Sequence, residues 1–237
     1  MSTLLIPFPV PPWRKPSTEL RIDVSLPRAN IEKELEALYA RLYLAGDSLH
    51  DLPQLALDYR GFVFRYREAD GEHYIYVEDR QRARLAGYVI FNRLVELNRR
   101  ADPHLRAPHA KFGQDYQRLG IATAIYCWWL DAGNCLISSA RQSVGANALW
   151  HKLGKRYPLT YVDLRNKRLC YLSREVNETR RQDLHTRMLM LGRGCSLDRL
   201  AEQTGMVGAV ELTLKPLPVA INTVMAWLRK HLSWRRR

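Results

Sequence analysis

Gln117-Arg118-Leu119-Gly120-Ile121-Ala122 is the stretch on which the reading of this chain turns. It has the form Gln/Arg-x-x-Gly-x-Gly/Ala. A short strand is expected before it, over 107–112, and a helix after it, with Ile121, Ile125 and Trp128 at helical spacing and Gly133 as the stop. Gly120 and Ala122 are small enough to let the main chain approach a ligand closely. The start of the helix adds unpaired N–H groups and the positive end of the helix dipole, a combination that suits a pyrophosphate.

Working outward, the period of the apolar residues changes several times. Residues 1–28 are rich in proline and without periodicity, as in an extended surface arm. Asn30 can cap a helix with Glu32 and Glu34 in its first turn, Ile31, Leu35, Leu38 and Leu42 on one face, and Gly46 at its end. Phe62, Phe64 and Tyr66 then alternate with Val63, Arg65 and Arg67, Asp70-Gly71 makes a turn, and 73–77 alternates again, which predicts a β-hairpin. A third strand follows over 85–92, with Gly87 as a candidate bulge. The polar segment 93–108 has no clear assignment.

Beyond the opening stretch, a strand is expected over 135–139. Ser143 then caps a helix with Ala146, Leu149, Trp150 and Leu153 on one face and Gly154 at its close. Two alternating runs, 159–164 and 169–172, joined by Arg165-Asn166-Lys167, predict a second hairpin. Residues 175–237 read as helical and basic. Leu184, Met188 and Leu191 form one helical face, Ser196 caps a helix over 197–203, and a last amphipathic helix carries Ile221, Val224, Met225, Leu228 and Leu232.

Taken in order, residues 56–174 resemble the GNAT superfamily of N-acetyltransferases. The shared features are a hairpin, a central strand, the glycine-containing loop, a helix, a strand, a second helix and closing strands. The second helix of that family carries a pattern like Ala-x-x-Leu-Tyr-x-x-x-Gly; this chain has Ala146-Asn147-Ala148-Leu149-Trp150-His151-Lys152-Leu153-Gly154. The resemblance implies a mixed, twisted α/β sheet flanked by helices, with 1–55 as an N-terminal arm and helix and 175–237 as a helical extension. It also implies acetyl-coenzyme A (acetyl-CoA) as cofactor, with Gln117, Arg118, Leu119, Gly120, Ile121 and Ala122 at the phosphates and Asn147 at the pantetheine arm.

In that family a base takes a proton from an acceptor amine and an acid, commonly a tyrosine on the second helix, protonates the leaving thiolate. Trp150 stands in that place here, and an indole N–H cannot supply the proton at neutral pH. Trp150 is expected in the core; Tyr157 and Tyr126 are the nearest tyrosines. His109 and His104 are the candidate bases, on or just before the central strand, because an imidazole titrates near the pH of use. Asp115 is a third candidate, provided its pKa is raised.

The totals narrow the classes. The chain has 237 residues, of which 46% are hydrophobic and 26% charged, the balance of a globular protein. Cys127, Cys135, Cys170 and Cys195 are widely spaced, which argues against a zinc ribbon or a disulfide framework. Neither cysteines nor histidines show metal-ligand spacing, so no metal is expected. Residues 1–12 contain four prolines and lack the pattern of a signal peptide, so a cytoplasmic location is expected, with no transmembrane segment. The net charge of +13 asks for an anionic partner.

Three functions follow. The first is transfer of an acetyl group from acetyl-CoA to an amine of a protein or small molecule. The second is a GNAT-fold interaction protein that binds and inhibits a partner, such as an acidic protein, with little or no catalysis. The third is nucleic-acid binding through the basic C-terminal part. There, 196–206 looks like the first helix and turn of a helix-turn-helix, yet the β-branched and glycine residues of 207–214 do not suit the second helix that DNA reading needs. The last helix and Arg235-Arg236-Arg237 suit an anionic membrane surface, an acidic groove, or packing with a solvated tail.

Overall fold

The computed structural model describes residues 28–208. The proline-rich arm and the terminal amphipathic helix read from the sequence lie outside the described residues.

Helix α1 spans Arg28–Leu42. Strands β1 (Val63–Ala69) and β2 (Glu72–Asp79) form the expected hairpin, with Asp70 and Gly71 both at positive φ, 55° and 74°. That is the primed turn that matches the twist of paired strands. Strand β3 (Arg84–Asn92) pairs with β2 through an irregularity at Val77/Glu78 that leaves Ala86, next to Gly87, as the extra residue. A Cβ on Gly87 would run into Lys111 O and the Phe112 main chain, so glycine lets β4 (Leu105–Phe112) pass close.

Helix α2 (Ile121–Asp131) crosses from β4 to β5 (Cys135–Ile137), which lies parallel to β4. Helix α3 (Val144–Leu153) starts at a Ser143 cap and leads into the second hairpin, β6 (Leu159–Arg165) and β7 (Arg168–Ser173). Its turn residues Asn166 and Lys167 are both at positive φ. After the short α4 (Glu178–Gln182) come β8 (Thr186–Met190), α5 (Leu197–Thr204) and β9 (Val207–Gly208).

The nine strands of the described residues form one mixed sheet in the order β1-β2-β3-β4-β5-β8-β6-β7-β9. Alternation along the strands divides the core between two faces. Ile75, Val77, Val89, Phe91, Tyr161, Met188 and Met190 face α2 and α3. On the other face Tyr76, Tyr88 and Ile90 pack on α1, and Val162, Leu164 and Leu189 pack with Leu200 of α5. The fold is a mixed α/β sheet flanked by helices.

One expectation is corrected, and two segments gain a place in the fold. Met188 and its neighbours form a strand, not a helical face. β8 inserts between β5 and β6, so the sheet runs on past residue 174, and all five of its residues are buried. A strand covered on both faces is an apolar run without alternation, which periodicity cannot tell from a helix. The polar segment before β4, left without assignment, holds a 3-10 turn, Asp102–His104, so His104 stands just before the strand, which starts at Leu105. Helix α1, read as part of an N-terminal arm and helix, is tied to the sheet. Glu34 accepts from Lys111 Nζ at 2.9 Å and from Tyr88 Oη at 2.6 Å, and Glu32 accepts from the Gln114 N–H at 3.2 Å, both across to the sheet side.

Candidate functional site

β4 and β5 hold the key geometry. Their parallel pairing is confined to Leu105–Cys135 and Arg106–Leu136. Pro108, two residues on, has no N–H to offer a ladder. From there β4 keeps its partner β3 but has no strand on its other side among the described residues, while β5 continues against β8. The sheet therefore opens between the second half of β4 and β5, leaving main-chain groups of β4 along the gap. In open α/β sheets such a gap, beyond the carboxyl ends of parallel strands, is where ligands bind.

Gln117–Ala122 lies beyond the carboxyl end of β4. Arg118 and Gly120 are at positive φ, 61° and 82°, and Gly120 is the N-cap of α2. The first internal bond of the helix runs from Ala124 N–H to Gly120 O at 3.0 Å, which leaves the N–H groups of Ile121, Ala122 and Thr123 without a helical partner. Ile121 is buried and Arg118 is exposed, so the loop anchors one side chain and presents a cation. Gln117 is committed elsewhere, its Nε2 donating to Phe112 O at 3.2 Å. Tyr59 braces the turn by donating to Leu119 O at 2.8 Å, and a Cβ on Gly120 would fall on its hydroxyl. Tyr59→Phe is expected to lower stability by about 1 kcal/mol in a urea titration. An unchanged midpoint would show that water serves Leu119 O equally well.

A cleft of about 330 Å³ lies beyond the carboxyl end of β5, on the same edge of the sheet. Its walls include Ser138 and Ser139 after β5, Ser143 and Asn147 at the head of α3, Tyr161 of β6 and Thr186 of β8. Ser138 continues the β5–β8 pairing, with its N–H on Met188 O at 2.8 Å and its hydroxyl accepting from Met188 N–H at 3.0 Å.

The structure distributes the expected site residues over several places. Asn147 lines the cleft and donates to Gln142 Oε1 at 3.3 Å. His109 sits on the half of β4 beside the opening, across from Ile90, and so on the α1 face. Burial pushes its imidazole from the ordinary 6.5 down to about 4; Lys111 adds to the shift and Glu34 opposes it. Its Nε2 is buried without a hydrogen-bond partner among the described residues. His104 ends the 3-10 turn at the far end of β4. Asp115 is exposed and paired with Arg84 at 2.8 Å.

Trp150 is in the core, as expected. Tyr157 donates to Asp131 Oδ1 at 2.9 Å, and Tyr126 is buried in the core; neither lines the cleft. Tyr161 does, and sequence reasoning missed it. Its alternation within 159–164 marks an inward position, but only the insertion of β8 beside β6 brings it to the head of α3.

No family model matches the chain, and no curated protein matches it. Among the described residues no helix is long and apolar enough to cross a membrane. α5 is followed by β9, paired with β7, where a DNA-reading helix-turn-helix would have its second helix.

Proposed function

We propose that this protein is a GNAT-type acyltransferase that moves an acetyl group from acetyl-CoA to an amine. The observation that supports it is the opening between β4 and β5, with a glycine turn and a helix N-terminus at its head. The residues present fit the cofactor. Free N–H groups at Ile121, Ala122 and Thr123, with exposed Arg118, suit a pyrophosphate. The unpaired side of β4 suits an extended amide chain, with Asn147 reaching the same arm from α3.

Acetyl-CoA supplies an activated thioester. In the reaction the amine nitrogen bonds to the acetyl carbon, the carbon–sulfur bond breaks, and the proton lost by the amine is matched by one gained by the thiolate. His109 is the base in this reading, being uncharged at neutral pH and beside the opening; it stands on the α1 face of β4, across the sheet from Tyr161, so the amine it serves is reached through the opening. Tyr161 holds the proton for the thiolate, since a phenol can donate where Trp150 cannot.

Arg118 tests the cradle cleanly, because its side chain is exposed and makes no hydrogen bond or ion pair among the described residues. Arg118→Glu is expected to weaken acetyl-CoA binding about tenfold or more by calorimetry, with the thermal midpoint unchanged. Unaltered affinity would remove the loop from the cofactor site. A second reading is favoured by the burial of Trp150, which leaves α3 without a proton donor at that position. It is a GNAT-fold interaction protein that binds the cofactor, or a partner, without turnover. Cofactor binding with no thiol release against a panel of amines would select it.

A further inference from the structure

The cleft beyond β5 has a chemistry of its own. Among the residues lining it there is no aspartate or glutamate, and the polar ones are hydroxyls, amides and arginines. Such walls have nothing to neutralise a cationic amine. At about 330 Å³ the cleft is at the small end of ligand sites and takes a molecule the size of an amino acid. The phosphate-facing loop at 117–122 is not part of its lining.

Several donors converge there. The head of α3, a helix of ten residues, has its Ala146 N–H capped by Ser143 Oγ at 3.2 Å, while Val144 and Gly145 N–H have no partner among the described residues. That end carries the positive pole of the helix. Independently, Thr186 is only 8% exposed and its Oγ1 has no hydrogen-bond partner among the described residues. It shares a face of β8 with Met188, another residue of the cleft wall, and a buried hydroxyl left unpaired is costly unless a ligand completes it.

The charges agree. Arg181 lines the cleft with its side chain 46% exposed; Nη2 donates to Val176 O at 3.5 Å, and its carboxylate contact among the described residues is a long one, 3.9 Å to Glu178. Arg187, between Thr186 and Met188, alternates to the other face of β8, across from Val162, with its guanidinium hydrogen-bonded to the carbonyls of Leu184 and Thr186, so Arg181 is the cation the cleft itself offers. Asp163, opposite Thr186 across the ladder, is already held by Arg165 at 3.0 Å and 3.1 Å.

We propose that this cleft receives an anionic oxygen group of the acceptor, so that the amine acetylated here is a small molecule that also bears a carboxylate or a phosphate. The proposal rests on the acyltransfer reading above. It is tested on the full chain by thiol release from acetyl-CoA with four amines: 4-aminobutyrate, phosphoethanolamine, butylamine and putrescine. The expected result is a kcat/KM at least about tenfold higher for one or both anionic amines. Their ratio tells carboxylate from phosphate. Arg181→Glu and Thr186→Val, each checked for an unchanged thermal midpoint, are expected to collapse that preference. Calorimetry with glutarate and with inorganic phosphate, in the absence of acetyl-CoA, reads the same site without catalysis. Turnover that favours butylamine or putrescine, or acts only on an acidic peptide, overturns the anion-bearing small acceptor and keeps the acyltransferase. Glutarate or phosphate binding that Arg181→Glu abolishes, in a protein that does not bind acetyl-CoA, overturns the acyltransferase and keeps the anion site.

Discussion

Glu78→Ala is expected to destabilise the fold by about 3–5 kcal/mol, a large part of the stability of a domain this size. Glu78 is 0% exposed, and its two oxygens are used by Arg65 Nε at 2.8 Å and by the Tyr43 hydroxyl. The Arg65 side chain is itself only 12% exposed and lies over the Tyr43 ring. Removing the carboxylate leaves a guanidinium in a low-dielectric site without its counter-charge, and that penalty exceeds what the pair contributes when intact. It also frees Tyr43, whose phenol is pushed up to about 12, chiefly by its hydrogen bond to Glu78. Urea titration is the measurement. Glu78→Leu combined with Arg65→Leu should recover most of the loss, because a well-packed apolar pair has no charge to strand. A single variant within about 0.5 kcal/mol of the parent, the range of ordinary surface changes, would show that water reaches Arg65.

That network has a partner at the other end of α1, where Glu34 holds Lys111 and Tyr88. Together they fix α1 over β2, β3 and β4, and neither was legible in the sequence. Glu34 read as a first-turn acid interacting with the helix dipole, and Glu78, one residue past the alternating run 73–77, carried no reading. Their partners, Lys111 and Arg65, are separated from them by 77 and 13 residues, and only strand register brings them together. What could be read was local. Asp70-Gly71, the Ser143 cap, the Gly120 turn and the core position of Trp150 each depend on a few neighbouring residues with strong conformational rules. The opening beside β4 was half legible, since Pro108 was visible but its consequence needed β5 as neighbour. The cleft was not legible, because its walls come from the ends of β5, α3, β6 and β8, and β8 itself carried a misleading helical spacing.

Lowering the pH from 7 to about 4.5 is expected to remove about 2–3 kcal/mol of stability through His109, and His109→Gln is expected to cancel most of that loss. The sign follows from the pKa, about 4 in the folded chain against the ordinary 6.5. Between those values the unfolded chain binds a proton that the folded one refuses. Stability is therefore complete above about 6.5 and declines as the pH falls towards 4, by at most about 3 kcal/mol for such a shift. The cause is the position of the ring: buried on β4 with Lys111 two residues on, and with Glu34 of α1 as the nearby opposing charge. His73, also lowered by burial, pulls in the same direction and leaves a residual slope in the variant. Urea titrations of both proteins at pH 7 and pH 4.5 make the comparison, and parallel losses would show that other groups carry the acid sensitivity. The same shift governs the chemistry proposed for the ring. If His109 accepts the amine proton, the acid limb of kcat/KM lies near pH 4 and not near 6.5, because the free enzyme keeps its imidazole neutral down to that point. An acid limb near 6.5, or full turnover by His109→Gln, would transfer the role of base to another group and leave His109 as a buried part of the seat for α1.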